Sequence, residues 1–239
     1  MRAIILAFAL LFGLGNAQAD PVQDLVNTGD DAAAFALASQ QSESGDATAH
    51  EWLGWFYDRG RGVDQNIEKA VYHYRIAIAG GRNYARWRVG VMIDEGTTQG
   101  SLEEAYSLFG QAADDGFSNA MVSLAVMQAT GRGTPVDYDG AFANYMRAAR
   151  AGNDHGIQGI GVMYALGQSV AVNNEEAAAW FLISAMAGNE TGQANLQRLA
   201  ANLTGDDLQR IAARADEITA ELGLEIVDTA PEAPAQKTQ

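Results

Sequence analysis

Apolar residues in this chain fall in short helical stripes, each closed by glycine. In residues 46–81, Ala49, Leu53, Phe56 and Tyr57 stand three or four positions apart, and that spacing predicts one face of a helix. Gly60-Arg61-Gly62 breaks the stripe. A second stripe follows Asn66, with Ala70, Tyr74 and Ala77 on one face. Gly80-Gly81 ends it, as a left-handed terminal glycine commonly does. The unit is therefore a pair of helices, A and B.

The pair recurs. Gly45, Gly81, Gly116, Gly152 and Gly188 stand 36, 35, 36 and 36 residues apart. Four residues after each comes a small one: Ala49, Ala85, Ala120, Gly156 and Gly192. Gly54, Gly90, Ala125 and Gly161 keep the same beat inside helix A. Ala34, Ala70, Ala105, Ala141 and Ala177 keep it inside helix B, with Tyr74, Phe109, Tyr145 and Phe181 as its aromatic column. A fixed period in this range marks a solenoid of stacked supersecondary units. The starts of the B helices give an independent check. Asp30, Asn66, Ser101, Asp137 and Asn173 occupy one column, and all are residue types that accept from the free amides of a first helical turn. Ser101 with Glu104 and Asn173 with Glu176 have the spacing of capping boxes. Glycine inside a helix costs about 1 kcal/mol relative to alanine. Gly54, Gly90 and Gly161 are therefore expected to admit the backbone of the B helix.

Ala49, Leu53-Gly54, Tyr57, Gly60-Arg61-Gly62-Val63, Asp64, Lys69-Ala70, Tyr74 and Gly81 together resemble the Sel-one-like repeat, a relative of the tetratricopeptide repeat. The match is strong in 46–81, good in 117–152 and 153–188, and weaker in 82–116, where Gly96-Thr97-Thr98-Gln99-Gly100 replaces the G-x-G-V turn. The resemblance implies an all-α fold, a right-handed solenoid of about four helix hairpins. It also implies a binding role as an adaptor or regulator.

Stacked units expose apolar faces at both ends and need atypical terminal elements. Residues 20–45 are expected to form N-terminal capping helices, with Ala34, Leu37 and Ala38 turned to the stack. Residues 193–223 are expected to form the C-terminal cap, where Leu208, Ile211, Ala215, Ile218 and Leu222 make one face of an amphipathic helix. From residue 224 to 239 the periodicity is lost, and a disordered tail is expected. At the other end, Met1-Arg2, an apolar run to Gly15 and Ala17-Gln18-Ala19 have the form of a signal peptide cleaved after Ala19. The expected destination is the periplasm or the medium.

There is no cysteine, so stability rests on stacking, and neither a disulfide nor a thiol nucleophile is available. After cleavage, 14 basic and 30 acidic residues remain, a formal charge of −16. That charge argues against a nucleic-acid partner. Residues 59–88 run against the trend: seven cations, Arg59, Arg61, Lys69, Arg75, Arg82, Arg86 and Arg88, face only Asp64 and Glu68. Either these cations pair with acidic neighbours in adjacent helices, or they form a docking surface for an acidic partner. His50, His73 and His155 occupy unrelated repeat positions without metal-ligand spacing, and no nucleophile or phosphate-loop motif is present. Neither an enzyme nor a cofactor is expected.

A tetratricopeptide-like solenoid binds along its A helices. The resemblance places on that face Glu51, Trp55 and Asp58; Tyr84, Trp87, Val91 and Asp94; Asn119, Val122, Val126 and Ala129; and His155, Gln158, Val162 and Ala165. An aromatic–aliphatic strip beside charges suits a protein partner of the cell envelope. The alternatives are a polysaccharide stacked on Trp55, Tyr84 and Trp87, and, more remotely, hydrolysis of peptidoglycan or β-lactams. A monomer without membrane insertion is expected.

Overall fold

The structure is a computed structural model that describes residues 20–201 and 203–224. Among the described residues there are twelve α-helices and no strand. The expected leader, residues 1–19, and all but the first residue of the expected tail lie outside them. The chain divides into two compact units, which meet in sequence at Val136 and Asp137.

The N-terminal unit holds α1 (Pro21–Thr28), α2 (Asp31–Ser42), α3 (Ala47–Arg59), α4 (Ile67–Ala79), α5 (Asn83–Asp94), α6 (Leu102–Asp114) and α7 (Ser118–Thr130). Each helix packs on the next, and the A helices α3, α5 and α7 also lie side by side. The C-terminal unit holds α8 (Tyr138–Arg150), α9 (Asp154–Leu166), α10 (Asn174–Met186), α11 (Glu190–Ala200) and α12 (Gly205–Leu222). There α9 packs between α8 and α10, and α10 carries both α11 and α12.

The repeated columns have distinct physical causes. The B-helix alanines, Ala34 to Ala177, are all fully buried. The glycines that mark the period have φ between 76° and 91°, so each turns the chain through the left-handed region after a B helix. Asp30, Asn66, Ser101, Asp137 and Asn173 each accept a backbone amide at the third helical position. The two capping boxes are not reciprocal pairs: Glu104 receives Arg75, and Glu176 receives Trp180 and Arg214. The reciprocal form stands at Thr204 and Asp207, at the start of α12.

The glycines inside the A helices have a different cause from the one expected. A Cβ on Gly54 would lie 2.5 Å from the ring of Tyr74, one on Gly90 2.6 Å from Phe109, and one on Gly161 2.6 Å from Phe181. The glycine column thus makes room for the aromatic column, more than for the helix backbone. Tyr145 is the exception, because its ring lies over Gly159 on the following A helix.

In the N-terminal unit, α1 and α2 cover Leu53 and Phe56 with Val22, Ala34 and Ala38. In the C-terminal unit, Ile211, Ala215 and Ile218 of α12 close over Ile157, Ile160, Trp180 and Ile183. Leu208 departs from the expected apolar face and is 49% exposed. It lies in the first turn of α12, before the helix reaches the core.

Candidate functional site

Five of the cations of residues 59–88 pair with acidic side chains within the N-terminal unit. Arg61 reaches Asp31 with two bonds of 2.7 Å, Arg82 reaches Glu51, and Arg88 reaches Asp58. Arg75 and Arg86 reach forward to Glu104 and Asp115. Each pair joins residues 29–31 positions apart, so each ties one element to a neighbour rather than to its own turn. Lys69 sits over the ring of Tyr57. Six of the seven cations are therefore engaged within the unit, which favours pairing with acidic neighbours over a docking surface.

Two candidate face residues belong to these pairs. Asp58 is 3% exposed; Arg88 donates to it through Nε at 2.6 Å and Nη2 at 2.9 Å. It is a core carboxylate and does not line a groove. Its hydrogen bond holds the Arg88 guanidinium above its ordinary pKa, and burial pushes the nearby Tyr74 and Tyr84 phenols up. Glu51 supplies what α5 lacks. The residue before α5 is Arg82, whose side chain gives no cap. Glu51 Oε2 accepts the Ala85 amide at 3.1 Å, and Oε1 holds Arg82. A carboxylate from α3 thus caps α5, which suits the positive end of a helix.

Trp55, Tyr84, Trp87, Val91 and Val122 are half-buried, and Val126 is 37% exposed. Trp55 stands edge-on to Trp52, at 5.7 Å and 83°, with Arg61 over its ring. Trp87 lies between Tyr84 and Phe117 and donates its indole N–H to Ser123 at 3.1 Å. Asp94 pairs with Arg132 at 2.7 Å. The tryptophans thus pack on their neighbours and keep part of their surface open. Met92, Met127 and Met163 fill the core.

The structure brings Glu51, Trp55 and Tyr84 around one cavity of about 390 Å³, together with Asp20, Gln23, Val26, Trp52 and Arg82. Asp20 and Trp52 were absent from the expected face. Asp20 caps α1 and accepts the Trp52 indole N–H at 2.8 Å, a link across 32 residues that no periodicity signals. In the C-terminal unit, His155, Gln158 and Val162 lie on α9. His155 meets Asn189 at 3.0 Å, and Asn189 also donates to Asp154.

The sequence also hid a histidine pair. His50 Nδ1 and His73 Nδ1 are 2.9 Å apart and their ring centroids 5.2 Å, so the two nitrogens face each other edge to edge and share one hydrogen bond. Tyr57 stacks on His73. Burial, then His50 and Lys69, lower His73 to about 4. Among the described residues, no group of three or more His, Asp or Glu side chains is placed to hold a metal ion. No helix there is long and apolar enough to cross a membrane.

The Sel1 repeat family model matches residues 47–81, 83–117, 118–153 and 157–189. The chain therefore belongs to the Sel1 repeat family, whose members are in general protein-interaction scaffolds. Two solved structures share the fold. One is a Sel1 repeat protein from Oxalobacter formigenes, with a TM-score of 0.72, 24% identity, and 84% of each chain covered. The other is a protective antigen of uropathogenic Escherichia coli strains displaying an SLR fold, also at 0.72 and 24%; the match covers 79% of this chain but only 41% of that one. No curated protein matches the chain.

Proposed function

We propose that the chain is an exported, non-catalytic scaffold, cleaved after Ala19, that holds a segment of another envelope protein against the A helices of its N-terminal unit. The observation that supports this most is the row of α3, α5 and α7. Along it, half-open aromatic side chains on α3 and α5 give way to an exposed valine on α7. Large amphipathic rings held rigidly by their neighbours are the usual anchors of binding energy. Glu51, Arg82, Arg61 and Asp94 beside them are occupied by ion pairs, so the open surface offers contact area rather than reactive groups.

Val126→Asp places a charge in the open strip without touching the buried columns. It is expected to weaken partner binding at least tenfold while leaving the melting temperature within a few degrees of the parent. Trp87→Ala is expected to weaken binding further, with some loss of stability. Partner binding unchanged in both variants would exclude this face. A polysaccharide is the second reading, favoured by Gln23 and Asp20 beside the tryptophans. It requires a change in tryptophan fluorescence on adding cell-wall glycans.

A further inference from the structure

We infer that His50 and His73 form a two-coordinate site for a soft monovalent cation, of the class of silver(I) and copper(I), bridged between their Nδ1 atoms and joining α3 to α4. The site needs no partner polypeptide and stands apart from the scaffold reading.

The two donors are opposed. The helix hairpin brings together residues 23 positions apart, with Nδ1 to Nδ1 at 2.9 Å, ring centroids at 5.2 Å and ring planes at 28°. The centroid separation equals the nitrogen separation plus the two ring radii. Both nitrogens therefore lie on the line between the rings and aim at each other. A neutral imidazole carries a proton on one nitrogen and a lone pair on the other. In the present pair one Nδ1 donates and the other accepts. When the donor ring carries its proton on the outer Nε2 instead, both rings stay neutral and two lone pairs converge on one point. Among the described residues no other hydrogen bond reaches either ring, and neither Nε2 is a buried atom without a partner, so each can hold its proton in contact with water.

This arrangement selects among ions. Zinc takes three or four protein ligands in a tetrahedron, and among the described residues no third His, Asp or Glu side chain is placed to join the pair. Linear binding between two donors is the geometry of monovalent copper and silver, and imidazole is a suitable donor to copper. The charged side chain that acts on His73 is Lys69, an exposed cation over the Tyr57 ring, so nothing beside the pair offsets a second positive charge. A linear bridge needs the nitrogens about 4 Å apart, twice a metal–nitrogen bond of about 2 Å, so the pair must open by about 1 Å. His73 is the member that can move. It is half-exposed and slides in its own plane along the stacked Tyr57 ring, 5.7 Å away at 6°, with Tyr72 edge-on at 5.1 Å. His50, 9% exposed, is the fixed member.

The test uses the whole mature chain with nitrogen-15 in its histidines, and silver nitrate in a chloride-free buffer. Silver(I) is the probe because it keeps its oxidation state in air. Methionine thioethers also take soft cations, so the histidine signals are the readout. One equivalent of silver is expected to shift the Nδ1 signals of His50 and His73 together and to split both by coupling to the silver nucleus. The third histidine, His155, is expected to stay unmoved. Zinc is expected to bind the pair at least tenfold more weakly than silver. His73→Gln is expected to lower the silver affinity at least tenfold. Silver coupling at one histidine of the pair, or at neither, overturns the inference. So does zinc binding as tight as silver, or a His73→Gln protein with the parent's affinity. The coupling is read on the parent protein, so the result holds even where a variant fails to fold.

Discussion

Gly90 is set by the ring of Phe109, which leaves no volume for a methyl group. Gly90→Ala is expected to cost about 1–3 kcal/mol from overpacking, and Gly90→Leu considerably more. Phe109→Leu in the Gly90→Ala background should recover part of the loss, because the smaller side chain vacates the contested space. Thermal unfolding of the two single variants and the double variant measures this directly. An unchanged melting temperature for Gly90→Leu would remove the packing explanation. His73 makes a second prediction at this level. It is held neutral in the fold, with a pKa of about 4 against an ordinary value of 6.5. Between those values the unfolded chain takes up a proton that the folded chain refuses, so stability is full above about pH 6.5 and falls as the pH drops toward 4. The side chain is half-exposed, so the loss is of order 1 kcal/mol after allowing for solvent screening. His73→Gln is expected to flatten this part of the stability profile. A profile identical to the parent would show that His73 is not responsible.

The helices of the N-terminal unit are joined by ion pairs of unequal weight. Asp58 is buried, with its side chain 3% exposed, against an Arg88 that is 19% exposed, while Arg75 and Glu104 lie far more in water. Asp58→Ala leaves the largely buried Arg88 guanidinium without its counter-charge and is expected to cost about 3–5 kcal/mol. Arg75→Ala is expected to cost less than about 1 kcal/mol. Chemical denaturation of the two variants checks the ranking, and equal effects would contradict the division into core and surface pairs. Glu51 acts on the same scale, since its carboxylate starts a helix on a different element. That role explains why α5 tolerates arginine where every other described helix but α7, which Phe117 precedes, carries Asp, Asn, Ser or Thr. It also means that variants of Glu51 test stability before they test binding.

Across the whole chain, what repeats was legible and what does not repeat was hidden. The helix pairs, their caps and the buried alanine column follow from spacing, because one physical demand recurs every 36 residues. The aromatic column was also visible, but its role in fixing Gly54, Gly90 and Gly161 needed ring positions that spacing does not supply. The cavity depends on Asp20 meeting Trp52, and the histidine pair on His50 meeting His73. Each of these joins residues from different columns, and the repeat carries no trace of it. Asp58 shows the converse error: its place in the A-helix pattern suggested an open face, yet it is buried against Arg88. The measurement that bears most directly on the scaffold proposal is site-specific photocrosslinking in native cells, with the crosslinker placed in turn at Val126 on the A helix α7 and at Tyr72 on the B helix α4. Both side chains are exposed, Tyr72 to 63%, so access alone does not distinguish them. A discrete protein adduct from position 126, absent from position 72, is the predicted result. Adducts from position 72 alone, or none from either position while the protein is retained on cell-wall material, would contradict it.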